Sequence, residues 1–154
     1  MTEATPPDRT VLRLERTFNA PARAVFDAWT SAEVLRRWWP AGPTWEWDTP
    51  VAEVDVRVGG TLRLVMRGPD GDEFGGSGVY LEITPPERLV FTWTWDARAG
   101  RDHPQLVEVD FYERADGTTT VVLTNRGLVD EADQRSHREG WQASFDNLDR
   151  VLAA

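Results

Sequence analysis

GVYLEITPPERLVFTW, residues 78–93, decides the architecture. Leu89, Phe91 and Trp93 alternate with Val90 and Thr92, and Val79, Leu81 and Ile83 alternate with Tyr80 and Glu82. Such alternation is the mark of a strand with one buried face. Thr84-Pro85-Pro86-Glu87 supplies a turn between the two runs. With a tight turn, Ile83 faces Leu89, Leu81 faces Phe91 and Val79 faces Trp93, so all six share one sheet face. Tyr80 and Glu82 then fall on the outer face.

The same period extends in both directions, from Trp45 to Asn125. Upstream, Val54, Val56 and Val58 alternate with Asp55 and Arg57 before Gly59-Gly60. Leu62, Leu64 and Met66 alternate with arginines before Gly68-Pro69-Asp70-Gly71, where Pro presets φ and Gly accepts positive φ. Gly75-Gly76-Ser77-Gly78 is expected to pair with Leu62 to Met66; glycine inside a strand marks a bulge, a bend or a close approach. Downstream, residues 97–104 read as a loop. Val107, Val109 and Phe111 alternate with Glu108 and Asp110. Ala115-Asp116-Gly117 makes a last hairpin, and Thr118 to Asn125 returns with Val121 and Leu123 inward. The outer face takes Asp55, Arg57, Glu108 and Asp110; a strand phase shifted by one would instead make these, with Tyr80 and Glu82, the polar groups of the interior, and Tyr80 is the member whose ring suits water least.

Helices flank the strands. After a first strand at Val11–Phe18, Pro21 suits a helix start, and Val25, Phe26 and Trp29 follow at helical spacing. Thr30-Ser31-Ala32-Glu33 fits a capping box for a second short helix. Val34, Leu35 and Trp38 face inward there, and Pro40 and Gly42 end it. At the C-terminus Trp141, Phe145, Leu148 and Leu152 recur at intervals of four, three and four residues, one apolar stripe along a long helix. Asp146 and Arg150 are spaced for an i,i+4 pair. A run of strands with helices segregated from it indicates an α+β domain. One domain over 11–154 is expected, after a tail at 1–10.

Composition narrows the chemistry. Eight of the 154 residues are tryptophan, two are histidine and none is cysteine. Disulfides, thiolate metal sites and a cysteine nucleophile are excluded. A formal net charge of −9 disfavours nucleic acid. No apolar run approaches a membrane span, and Met1 to Thr10 has no signal-peptide core. A cytoplasmic protein is expected. Two histidines 34 residues apart make a poor metal site, so neither metal nor cofactor is expected. No nucleophile elbow or phosphate loop is present.

In its order of elements the chain resembles the helix-grip, START-like fold of the SRPBCC superfamily. Within it the chain is similar to the bacterial branch related to the C-terminal domain of the activator of heat-shock-protein-90 ATPase. The matching stretches are PARAVFDAW (21–29), Trp38-Trp39-Pro40, RVGG (57–60), MRGPDG (66–71), the strand pair quoted above, Gly117-Thr118 and GWQASFDNLDRVL (140–152). The resemblance implies a curved antiparallel sheet of about six or seven strands wrapped around a long C-terminal helix, with a deep cavity between them. Relatives bind lipids and other hydrophobic ligands, cyclise polyketides or have no known activity. The eukaryotic co-chaperone carries an additional N-terminal domain that engages the chaperone, which a chain of this length is expected to lack.

Ligand sites are mostly apolar with a few placed polar groups, and indole suits both needs. The candidate lining is Trp38, Trp39, Leu64, Met66, Phe91, Trp93, Trp95, His137, Trp141 and Phe145. Trp38 and Trp39 would lie at the mouth. His137 is either structural or a donor or acid/base group there. Gly140 reads as a kink or close packing, or as room for a ligand. Three functions follow: binding of a small hydrophobic, lipid-like or aromatic molecule; a cyclase- or hydrolase-like enzyme in the same cavity; or a chaperone-related or homodimeric interaction protein using an exposed Trp38-Trp39 surface.

Overall fold

The computed structural model describes residues 10–39, 48–96 and 104–153. The order is β1 (Val11–Phe18), α1 (Ala22–Thr30), α2 (Ala32–Trp38), β2 (Asp48–Val54), β3 (Thr61–Arg67), β4 (Glu73–Thr84), β5 (Arg88–Trp95), β6 (Gln105–Glu113), β7 (Thr119–Arg126) and α3 (Glu131–Ala153). The seven strands form one antiparallel sheet ordered β1-β7-β6-β5-β4-β3-β2. This is the expected α+β helix-grip arrangement. Trp45, Trp47, His103 and the helix-ending Pro40 and Gly42 lie outside the described residues, as does the tail before Thr10.

Local signals set the helix starts, with one revision. Pro21 caps α1 in an extended conformation, and the Ala22 N–H donates to Glu113 on β6 at 2.8 Å. The cap of α2 is Ser31, whose hydroxyl accepts from the Val34 N–H at 3.3 Å. Glu33 therefore sits one residue too early for a capping box and pairs instead with Arg37 at 3.1 Å.

Most inward faces follow the alternation. Leu62, Leu64 and Met66 on β3, Leu89, Phe91 and Trp93 on β5, Val107, Val109 and Phe111 on β6, and Val121 and Leu123 on β7 are all buried. Leu64 pairs with Gly76 and Leu62 with Gly78, as expected for the glycine-rich strand. On the outer face Arg88 donates to Asp110 at 2.8 Å and to Glu108 at 2.9 Å.

The strand pair at 78–93 is the main correction. Ile83 does pair with Leu89, but Tyr80, not Leu81, pairs with Phe91. Leu81 is an extra residue between them, a β-bulge, and each bulge flips the side-chain parity of what lies beyond it. Val79 and Leu81 consequently stand 37% and 50% exposed, while Tyr80 is buried.

Two further expectations change. The ladder of β2 ends at Val54; residues 55–60 turn, with Gly59 at φ 85°, and leave Val56 and Val58 39% and 64% exposed. On α3, Asp146 does not pair with Arg150. It accepts from Arg16 of β1 at 2.7 Å, alongside Asp149 at 3.2 Å, so the helix is tied to the sheet edge. Arg150 donates to Asn147. Trp141, Phe145 and Leu148 are buried beneath α3, and Leu152 is half-buried at its end. None of the described helices is long and apolar enough to cross a membrane.

Candidate ligand-binding interior

The sheet, α3 and the short helices bring nearly all the expected side chains into one aromatic interior. Trp39 is its hub. Its ring lies 4.9 Å from Trp141, 5.5 Å from Trp93 and 6.3 Å from Phe91, centroid to centroid. Phe145 follows Trp141 at 6.1 Å, and Leu64 and Met66 close the β3 side of the same core. Trp95 stands 5.3 Å from Trp93, edge to face, and 6.2 Å from His137. Trp38 and Trp39 are themselves buried, so they form no exposed docking surface, contrary to the interaction reading. Trp38 donates its indole N–H to the Ala28 carbonyl at 2.9 Å, which locks α2 on α1.

Trp29 belongs at the centre of this group, and pattern reading left it as an ordinary helix-face residue. It touches Trp38, Trp39, Phe91, Phe111, Trp141 and Phe145, all within 6.5 Å. The available signal was its register with Val25 and Phe26 on an apolar helix face. Tyr80, which plain alternation puts on the outer face and a shifted phase would turn inward, is turned inward by the bulge. Its ring lies 6.3 Å from Phe91. Burial, with a smaller contribution from the Asp55 carboxylate, pushes its hydroxyl up to about 12, so it remains protonated and able to donate.

A chain of hydrogen bonds runs along one side of the interior. Trp141 donates to Asn125 Oδ1 at 3.0 Å, and Asn125 Nδ2 donates to Gln105 Oε1 at 3.0 Å. The Gln105 amide nitrogen therefore faces His137 Nε2, at 3.3 Å, and Trp95 donates to the same nitrogen at 3.2 Å. Indole and amide N–H groups only donate, so Nε2 must accept and the proton resides on Nδ1. Nδ1 donates to the Asp133 carbonyl at 2.9 Å and lies 3.2 Å from the Asp133 carboxylate. Asp133 is buried; its other oxygen accepts from the Val129 N–H at 3.0 Å, and its own N–H donates to Asp130 at 2.8 Å. These contacts cap α3. Thus His137 is a satisfied link in a network that sequence spacing alone did not join, and it has an acidic neighbour four residues before it.

Across from this network, among the described residues, stand three buried aromatic side-chain groups without a hydrogen-bond partner: Trp29 Nε1, Trp93 Nε1 and Tyr80 OH. A buried polar group left unmatched costs about 1–3 kcal/mol. Trp29 and Trp93 both touch Trp39, and Trp29 and Tyr80 both touch Phe91.

Two glycines shape the interior differently. A Cβ on Gly76 would come 2.5 Å from Trp93 Cζ2 and 2.7 Å from its Cε2, so the indole lies directly on bare backbone. This is the close approach among the sequence expectations. At Gly140, among the described residues, a Cβ would meet nothing within 4 Å. Asp133 and Ser144, on the same flank of α3, are nonetheless buried. Close packing against the described residues does not explain Gly140.

Comparison with solved structures finds the same fold throughout the chain. A protein from Chromobacterium violaceum is 25% identical with a TM-score of 0.84, covering 94% of this chain and 98% of its own. One from Rhizobium leguminosarum is 29% identical, TM-score 0.79, covering 93% of each. The AHSA1 protein of Silicibacter pomeroyi is 28% identical, TM-score 0.77, covering 93% of this chain and 97% of its own. A family model described as Activator of Hsp90 ATPase homolog 1-like protein matches residues 19–153. Comparison with curated proteins returns no match.

Proposed function

The chain belongs to the Activator of Hsp90 ATPase homolog 1-like family, and from that footing we propose that it binds a small hydrophobic molecule between the sheet and α3. One observation carries the reading. Among the described residues, Trp29, Tyr80 and Trp93 keep polar atoms buried and unmatched inside an aromatic interior, while the indoles of Trp38, Trp95 and Trp141 are paired. Folded proteins match nearly all such groups, with protein, with water or with a bound molecule. Aromatic walls with a few convergent donors are the usual makeup of a ligand site.

The enzyme reading has less behind it. His137 is the natural acid/base group, but its Nε2 already faces two donors. A cysteine-free chain also suits the reducing cytoplasm, where we place the protein. Native mass spectrometry of freshly purified protein tests the proposal, together with tryptophan fluorescence titrated against a panel of hydrophobic compounds. A retained small molecule, or saturable quenching by panel members, is expected. Bare protein and a flat response across the panel would refute it.

A further inference from the structure

We infer that the turn at 55–60 and the bulged stretch of β4 beside it form a surface that pairs with the same surface of a second copy of this chain. It stands apart from the ligand reading, since it uses the outer side of the sheet.

Four of the six large hydrophobic side chains exposed among the described residues stand here: Val56, Val58, Val79 and Leu81. Backbone hydrogen bonds bring the two segments together. Gly59 donates its N–H to the Tyr80 carbonyl at 2.8 Å, and the Tyr80 N–H donates to the Gly60 carbonyl at 2.9 Å, so the turn lies against residues 79–81. The bulge is what turns Leu81 outward. An unbulged strand would bury Leu81 and leave the Tyr80 hydroxyl in water. The chain does the reverse, and the buried hydroxyl finds no partner among the described residues. Solvation alone favours the opposite choice. Apolar side chains turned outward at a bulge in this way mark a surface kept for contact.

Charge selects the occupant. Arg57 stands between Val56 and Val58, and its Nε lies 2.8 Å from the carboxylate of Asp55, with both side chains exposed. A two-fold interface brings residue i of one copy to residue j of the other, and j to i. A patch with one cation and one anion meets that condition by exchanging partners, Arg57 of each copy meeting Asp55 of the other. Glu82 and Arg63, next along the outer face, are matched within the chain by Arg88 at 3.3 Å and Asp96 at 2.9 Å. A strongly basic or acidic partner would leave one of the two central charges facing its own sign. Two chains of net charge −9 repel each other overall, and a balanced apolar patch is where they approach with least repulsion. Four aliphatic side chains and one ion pair make a small interface, so the dimer is expected to form reversibly as concentration rises.

The test is sedimentation velocity of the full chain over a hundredfold range of concentration. A rise from monomer towards dimer is expected. Val58→Asp and Leu81→Lys should each weaken association at least tenfold. Val129→Asp, which adds the same charge as Val58→Asp at an exposed valine ahead of α3, should leave it unchanged. Asp55→Arg and Arg57→Asp should each weaken association alone, and an equimolar mixture of the two should recover a dimer. Circular dichroism checks that every variant is folded. A wild type that stays monomeric throughout would overturn the inference. So would a dimer that survives both Val58→Asp and Leu81→Lys, or one lost equally in Val129→Asp. Failure of the mixture to associate would overturn the exchanged ion pairs as the basis of the pairing.

Discussion

Trp141 donates its indole N–H to Asn125 Oδ1 across 3.0 Å. This contact between α3 and β7 fixes more than itself. An indole N–H has one role, so it sets which way the Asn125 amide points. Asn125 then orients Gln105, and Gln105 with Trp95 assigns the tautomer of His137.

Replacing Asn125 with leucine leaves the Trp141 N–H and the Gln105 carbonyl unmatched. A loss of about 2–4 kcal/mol is expected, measured by urea unfolding. His137→Leu strands Trp95 and Gln105 in the same network. The double variant should therefore lose clearly less than the sum of the two. Strict additivity would mean that the two residues act separately.

Tyr80→Phe removes a buried hydroxyl that has no partner. At pH 7 it should cost almost nothing, or stabilise by up to about 1 kcal/mol. The alkaline limb is more telling. The Tyr80 hydroxyl titrates at about 12 when folded, against 10.0 for the free side chain. Its contribution is complete below pH 10 and is lost as pH rises towards 12, because the unfolded chain releases the proton first. Over that window the wild type should fall relative to Tyr80→Phe by an amount on the order of 2 kcal/mol. Parallel pH profiles for the two proteins would contradict the buried, protonated phenol.

On the outer face, the Arg126 guanidinium, bonded to Glu108 at 2.6 Å, holds that carboxyl below the usual carboxylate range, and Arg88 adds to the effect. A depressed carboxyl stabilises the fold above its unfolded value and loses that contribution as pH falls through the folded one. Arg126→Met should return the Glu108 titration towards the ordinary range, followed by NMR. The stability cost at pH 7 should be about 0.5–1 kcal/mol, fading in acid. A cost that persists unchanged at pH 3 would point to packing by the arginine stem rather than charge.

Gly76→Ala places a methyl where the Trp93 indole lies. A loss of about 1–3 kcal/mol is expected, with a changed near-ultraviolet dichroism from the displaced ring. An unchanged aromatic spectrum would mean that Trp93 does not rest on this strand.

Gly140→Ala should act in the opposite direction. The position is helical and its Cβ finds open space among the described residues. Alanine exceeds glycine in helix propensity by about 1 kcal/mol, so a gain of about 0.5–1 kcal/mol is expected in thermal unfolding. A loss would show that something packs at this flank.

Most of the fold was legible because strand and helix periods are local. Val107-Glu108-Val109-Asp110-Phe111 states its own two faces, and Trp141, Phe145 and Leu148 state the buried side of α3. The burial of Leu64, Met66, Phe91, Trp93, Trp141 and Phe145 was legible for the same reason. Tyr80 was not, since the extra residue at Leu81 reverses parity without changing the alternation pattern around it. Trp29 was visible as an apolar helix residue, but its central place depends on how α1 lies over β5 and β6. Asp133 and Gln105 look like ordinary polar residues until α3 is laid on the sheet. Arg16 took Asp146 from Arg150 for a similar reason, a partner 130 residues away in the chain.

By itself the sequence determined the order of elements, the greasy face of nearly every strand and the stripe of the last helix, because spacing along a chain dictates which side chains share a face. Only the tertiary structure decided which polar atoms are satisfied. Hydrogen bonds such as Trp141 to Asn125 join separate elements, and the unmatched groups of Trp29, Tyr80 and Trp93 emerge only once α1, β4 and β5 have closed around one another and shut out water.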